Sequence, residues 1–446
     1  MLLAPGVAAQ DKPTDAPSSP QHAKRGLRRA MPDYDGRPGP HLTLGEKLLW
    51  VPRVLFYPVH LVAEYGLRWP LGLAISSAEE GEVPAKIIDF FTFGEDDNIT
   101  VLPTAFYDFG FRPSGGLFVA WDDFIRPDHK ARLHAATGGK DYLTLTAAHR
   151  IEPSGKNWRI GLRGEATTRP DGVYYGIGQD IEDDNRSRFD FTFYDVALHF
   201  AEEFWRSSAA RVEGGIRWAE FGNNVCCGDL SVQDQVNAGR FATLPPGFEE
   251  GYFIWRQQVG VVVDSRRPRP APGSGWRLGA RGSYATDVQE AEARQWLGYA
   301  ALAAMYWDLS QVNHVLSVTA SAQFVDAVRG EVPFFELVDL AGTGPMLGFI
   351  QGRLLGQSGI AASVEYRWPV WVWLDGSAHF ALGNAFAERL DDFALRRLRM
   401  SYGVGLRTSN ARDHSFDLTV AFGSRAFEDG PRVESFRFVI GGRRDF

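Results

Sequence analysis

Two cysteines in 446 residues, adjacent at Cys226 and Cys227, leave no room for a disulfide framework or for any usual zinc or iron–sulfur ligand spacing. The pair has two readings: a vicinal disulfide in a loop, or two plain loop thiols. No run of eighteen or more apolar residues occurs, so no sequence segment qualifies as a transmembrane helix. Basic residues are not in excess. With 47 Lys and Arg against 55 Asp and Glu the net charge is −8, which argues against general nucleic-acid binding. Catalytic signatures are missing as well: there is no Gly-x-Ser-x-Gly, His-Glu-x-x-His, Walker loop or Cys-x-x-Cys. His134, His149 and His199 are scattered and read as strand or loop residues. Glu182-Asp183-Asp184 reads as a solvated loop, with weak cation binding as the alternative. The expectation is a protein that is not an enzyme and uses no cofactor or metal.

Aromatic residues, by contrast, are plentiful: 31 Phe, 14 Tyr and 13 Trp, or 13% of the chain. The chain is long enough for two ordinary domains or one large barrel. Near the start, Val7-Ala8-Ala9 has the small-residue form of a secretory cleavage site, which makes residues 1–9 a signal-peptide remnant. The basic part and most of the apolar part of a signal are missing, so either the start codon is placed too late or the segment is not a signal; the first is favoured. Residues 10–43 are polar and rich in Pro, Ser, Asp and Arg, as in a disordered periplasmic tail. Residues 44–97 read as a short periplasmic segment. Over 44–78 the apolar residues Leu48, Leu49, Trp50, Val54, Leu55, Phe56, Val59, Leu61 and Val62 form an amphipathic pattern cut by Pro52 and Pro58, which predicts one or two short helices. A plain packing helix is the alternative.

From Asn98 to the end the apolar residues recur with period two. Phe416, Leu418, Val420 and Phe422 alternate with Asp417, Thr419, Ala421 and Gly423. Ile360, Ala362, Val364, Tyr366 and Trp368 alternate with Ala361, Ser363, Glu365 and Arg367. A soluble antiparallel sheet also alternates. Two features favour a membrane barrel: the polar face carries small residues and paired charges, as a wet lumen would, and Trp and Tyr gather at strand ends, as at Trp368, Trp371, Trp373, Tyr252 and Trp255. The predicted strands are 99–111, 115–124, 129–138, 140–152, 156–169, 186–201, 207–221, 251–264, 275–287, 294–308, 312–326, 357–367, 371–381, 398–407, 414–423 and 434–444. About sixteen strands is an even number, as closure of a single-chain barrel normally requires. Connections after even strands are mostly short, and several after odd strands are long (170–185, 222–250, 327–356 and 382–397). The expected fold is all-β: a transmembrane antiparallel barrel of about 16 strands over 98–446, with a short helical segment before it.

Five segments, in order, resemble one family. Tyr174-Tyr175-Gly176-Ile177-Gly178 resembles an aromatic-Gly-x-Gly stretch. Asp264-Ser265-Arg266, followed by Pro272-Gly273 and Gly275, resembles an Asp-x-Arg…Pro…Gly turn. Pro333-Phe334-Phe335-Glu336-Leu337 with Met346-Leu347-Gly348-Phe349 resembles a sixth external loop, and Glu365-Tyr366-Arg367-Trp368-Pro369 the strand after it. Gly403-Val404-Gly405-Leu406-Arg407 and the terminal Phe446 resemble closing strands. The family is that of the BamA/TamA-type outer-membrane assembly factors of the bacterial surface antigen superfamily. The resemblance implies a bacterial outer-membrane location and a lumen loop at Met346, Leu347, Gly348 and Phe349. It departs in two places. Leu347 stands where the family has an arginine, and His379-Phe380-Ala381-Leu382-Gly383 stands where it has an acidic residue on strand thirteen, so both halves of one ion pair are replaced together. Residues 10–98 show no pattern of a polypeptide-transport-associated domain, as in the minority of family barrels that lack them.

Three functions are weighed. The first is insertion, translocation or assembly of proteins or lipids at the outer membrane, through a weak seam between first and last strands. The second is passive transport through a pore lined by Arg159, Arg163, Glu365, Arg367, Arg399 and Arg407. The third is a scaffold barrel, as a homodimer or bound to a periplasmic or secreted protein partner. Outer-membrane lipid is a partner in all three. Glu365, Arg367, Arg399 and Arg407 are the expected lumenal ionic residues. Phe436, Phe438, Ile440 and Phe446 are expected to serve closure and targeting.

Overall fold

The computed structural model describes residues 90–94, 96–267, 273–289, 294–309, 313–371, 374–408 and 414–444. The expectations for 1–9, 10–43, the helices within 44–78 and Phe446 lie outside these residues. Sixteen long strands follow in order: β1 Ile99–Asp108, β2 Ser114–Asp122, β3 His129–Gly139, β4 Tyr142–Ile151, β5 Trp158–Tyr174, β6 Ser187–Trp205, β7 Ser208–Asn223, β8 Tyr252–Asp264, β9 Gly275–Asp287, β10 Gln295–Asp308, β11 Val315–Arg329, β12 Ser358–Trp371, β13 Leu374–Phe386, β14 Arg399–Thr408, β15 His414–Ser424 and β16 Val433–Arg444. Each pairs antiparallel with the next, and β16 pairs with β1, so the sheet closes into a barrel. All sixteen predicted strands are present.

Alternation fixes which face is which. Leu133, Leu145, Leu162, Leu198, Val259, Leu278, Val318, Phe380 and Val404 point outward and are exposed. A protein in water would bury such a belt, whereas a lipid-facing barrel requires it. On the opposite face of the sheet Thr146, Asp195, Ser317, Ser377, Ser401, Thr419, Ala421 and Arg437 are buried. No helix among the described residues is long and apolar enough to cross a membrane.

Several strands outrun their predicted ends, β6 to Trp205 and β13 to Phe386 among them, and two do so at a proline. β5 continues to Tyr174 because its ladder with β6 shifts register between Arg169 and Gly172. Pro170 has no N–H to donate, and the bulge skips it before pairing resumes. β12 continues to Trp371 through a register shift after Pro369. The long connections 175–186, 224–251, 330–357 and 387–398 share one end of the barrel, which in outer-membrane barrels is the external end. Within 224–251, Cys226 and Cys227 are joined to each other as a vicinal disulfide. Next to them a helix, α1 (Val232–Asn237), starts on a capping box in which Ser231 and Asp234 exchange side-chain and backbone hydrogen bonds.

Candidate functional site: the lumen loop and the seam

The connection 330–357 enters the barrel. It is anchored on opposite walls at three points. Near its start Glu336 accepts from Arg217 on β7 at 2.9 Å and from the Tyr252 hydroxyl on β8 at 2.7 Å. Arg217 also reaches Asp195, which Arg256 shares, and Arg256 reaches Glu213. Beside Glu336, Phe334 packs edge-on against Phe189 and Tyr174 and lies 4.8 Å from the ring of Phe221. Such aromatic pairs each add about 0.5–1.5 kcal/mol beyond area burial.

The second anchor is Met346-Leu347-Gly348-Phe349, which lies on β14–β16. Met346 and Phe349 are fully buried, and Leu347 is half-buried. The Gly348 amide donates to Ser401 Oγ at 2.8 Å, and the Ser435 hydroxyl donates to the Gly348 carbonyl. A Cβ on Gly348 would stand 2.1 Å from the Phe422 carbonyl oxygen, so only glycine allows backbone to meet backbone here. His379, in the segment where the resemblance has an acid, is 3.4 Å from the same Ser401 hydroxyl. The third anchor is Arg353, 2% exposed, which donates to Glu434 at 2.7 Å and to Asp183 at 3.2 Å. Glu434 is shared with Arg399 at 2.6 Å. Between the anchors, Asp339 accepts the amides of Ala341 and Gly352 at 2.9 and 2.8 Å, and burial pushes its carboxyl up to about 6.

The seam where the barrel closes is short. β1 and β16 pair only over Phe106–Gly441, Tyr107–Ile440 and Asp108–Val439, with one further bond from the Phe109 amide to the Phe438 carbonyl. Every other neighbouring pair of strands has a longer ladder; β14 with β15 runs from Ser401 to Arg407. Toward the short-turn end the seam edge of β1 pairs instead with Thr92 and Phe93. On the lipid face Phe436 meets Phe109 at 5.6 Å and Phe438 meets Tyr107 at 6.2 Å between ring centroids. Ile440 faces the same way and is exposed. On the lumen face Arg437 forms a bidentate pair with Asp108 at 2.9 and 2.7 Å, both side chains nearly fully buried. Arg437 also donates to the carbonyls of Gly342 and Leu347. At Leu347, where the resemblance has an arginine, the contact is supplied from the wall, by Arg437 to the Leu347 carbonyl. One guanidinium thus touches β16, β1 and the lumen loop.

Of the residues singled out from sequence, Phe436, Phe438 and Ile440 lie at the seam, and Arg399 joins Glu434 and, through it, the loop. Arg407 pairs with Asp417 at 3.3 Å toward the short-turn end. Glu365 and Arg367 share the lumenal face of β12, but among the described residues no ion pair joins them. Sequence reading missed Arg353, Arg437, Asp108 and Glu434. The one signal for Arg437 is a charge set between two phenylalanines of the last strand.

Residues 249–443 match the Omp85 superfamily domain. No curated protein matches the chain in sequence. Among solved structures the barrel is similar to BamA from Haemophilus ducreyi lacking POTRA domains 1–3, with 13% identity and a TM-score of 0.50, covering 77% of this chain and 70% of that one. CdiB from Acinetobacter baumannii, with 9% identity and a TM-score of 0.49, covers 77% of this chain and 59% of its own. The chain therefore spans less than two thirds of that second structure. The fold and the family match agree: residues 249–443 carry an Omp85 superfamily domain, within a closed sixteen-stranded barrel of the bacterial outer membrane.

Proposed function

We propose that this protein takes part in inserting, translocating or assembling polypeptides at the outer membrane, with the β1–β16 seam as the working element. The short seam carries this reading. An unpaired strand edge in lipid costs several kcal/mol per backbone group, so a barrel gains from a full ladder at its closure. A seam paired over three positions leaves edge free to pair with an arriving strand. Arg437 ties that seam to the lumen loop, so movement of the loop and opening of the seam are coupled. Outer-membrane lipid and a periplasmic or secreted protein are the partners this reading requires, and a homodimer is its scaffold form.

A passive pore is the competing reading. The loop 330–357, with Glu336, Phe349 and Arg353 fixed to the walls, stands against it by filling the lumen. Purified protein in liposomes separates the two. The proposal expects low steady conductance and faster folding of a urea-denatured outer-membrane barrel added from outside. High steady conductance with no gain in folding rate would favour the pore.

A further inference from the structure

At the short-turn end of the lumen a cavity of about 190 Å³ is lined by Ser207, Arg266, Arg267, Gly273, Asn313 and Arg367, among others, and no carboxylate is among its described lining residues. Several lumenal arginines elsewhere come with acids: Arg217 and Arg256 share Asp195, Arg353 and Arg399 share Glu434, and Arg437 holds Asp108. The larger cavity at the opposite end, about 610 Å³, is lined by Arg397, Arg399 and Arg425 together with seven carboxylates, Asp180 and Glu428 among them.

The small cavity gathers its arginines without an acid in the lining. Arg266 is satisfied: it grips Asp264 through two bonds of 3.0 and 2.7 Å and lies 3.6 Å from the centre of the Tyr306 ring, so it is held as a wall. Arg267 and Arg367 have no ion-pair partner among the described residues, and the Nε of Arg367 is buried with no hydrogen-bond acceptor. Arginine cannot shed its proton to relieve this, and a buried guanidinium nitrogen without an acceptor is costly. Asp308 accepts the amides of Gly273 at 3.3 Å and Asn313 at 3.0 Å, and so ties together two of the lining residues. Polar groups on Ser207 and Asn313 complete the lining.

We propose that this arginine cavity at the periplasmic mouth binds a phosphate group, supplied either by free phosphate or by the headgroup of a phospholipid in the periplasmic leaflet. Guanidinium forks match the oxygen geometry of phosphate bidentately. One such group fits the volume and supplies the missing negative charge to Arg267 and Arg367 together.

The test uses the full chain, purified in uncharged detergent and titrated calorimetrically with inorganic phosphate and, separately, with dihexanoyl phosphatidylglycerol. Saturable binding is expected, weakened about tenfold or more by Arg267→Gln and by Arg367→Gln, since each removes a charge-assisted bond. Arg396→Gln, at the far end of the barrel beside Glu428, should change nothing. If both probes bind and compete, the lipid headgroup is a source; if inorganic phosphate alone binds, the site takes the free ion. Arg267 is exposed, so its variant should keep the heat-modifiable fold. Absence of saturable binding for both probes, or equal affinity in that folded variant, overturns the proposal.

Discussion

Arg437→Met is the sharpest perturbation of the seam. The substitution keeps an unbranched stem and removes four hydrogen bonds: two to Asp108, one to the Gly342 carbonyl and one to the Leu347 carbonyl. The Asp108 carboxylate is then left buried without its cation. Breaking a buried pair by removing one partner costs about 3–5 kcal/mol. The loop carbonyls add to this only as far as water fails to reach them, so the lower part of that range is the safer figure. The expected result is a clear fall in the temperature at which the barrel loses its heat-modifiable form. Asp108→Asn combined with Arg437→Met should recover most of the loss, because no charge is then stranded. Arg407→Met, which breaks a more exposed pair with Asp417, should cost about 1 kcal/mol or less. If Arg437→Met shifts the transition no more than Arg407→Met does, the pair does not hold the seam.

Gly348→Val should prevent the loop from seating on β15, since its Cβ would meet the Phe422 carbonyl; raised conductance in planar bilayers is expected, and unchanged conductance would mean that the loop does not fill the lumen. Asp339 ionises in a buried setting, so its folded pKa lies above its unfolded one. Its contribution to loop docking is full below about pH 4 and is lost as pH rises through about 6. The transition temperature should fall over that window, and fall less in Asp339→Asn; parallel pH profiles would contradict this. The Cys226–Cys227 bond predicts that the denatured protein takes up no alkylating reagent until it is reduced, with an intact mass short of the dithiol by two hydrogens.

The strands were legible because each writes its own alternation: the Phe416–Gly423 segment reveals lipid face and lumen face without reference to any neighbour. Proline misled two of the ends, since the ladder resumes beyond Pro170 by a bulge that no local pattern announces. The seam contacts were hidden for a different reason. Asp108 and Arg437 lie 329 residues apart, and which charge meets which depends on barrel closure and register. Glu365 and Arg367 illustrate the converse. Two residues apart on one strand, they share a face, yet a shared face fixes direction and not partnership. Arg367 turns to the cavity at the mouth. The apolar Met346-Leu347-Gly348-Phe349 singled out the segment that packs on β14–β16; that Arg437 meets it from the wall was not readable.

The central claim, that the β1–β16 seam is the working element, is tested most directly by locking it. Tyr107→Cys with Ile440→Cys places a thiol pair across the seam, in a Cys226→Ser, Cys227→Ser background. The measurement is the folding rate of a urea-denatured outer-membrane barrel in liposomes holding the oxidised or the reduced protein. The account predicts that oxidation abolishes the acceleration and that reduction restores it. Equal acceleration with the seam locked and unlocked would contradict it.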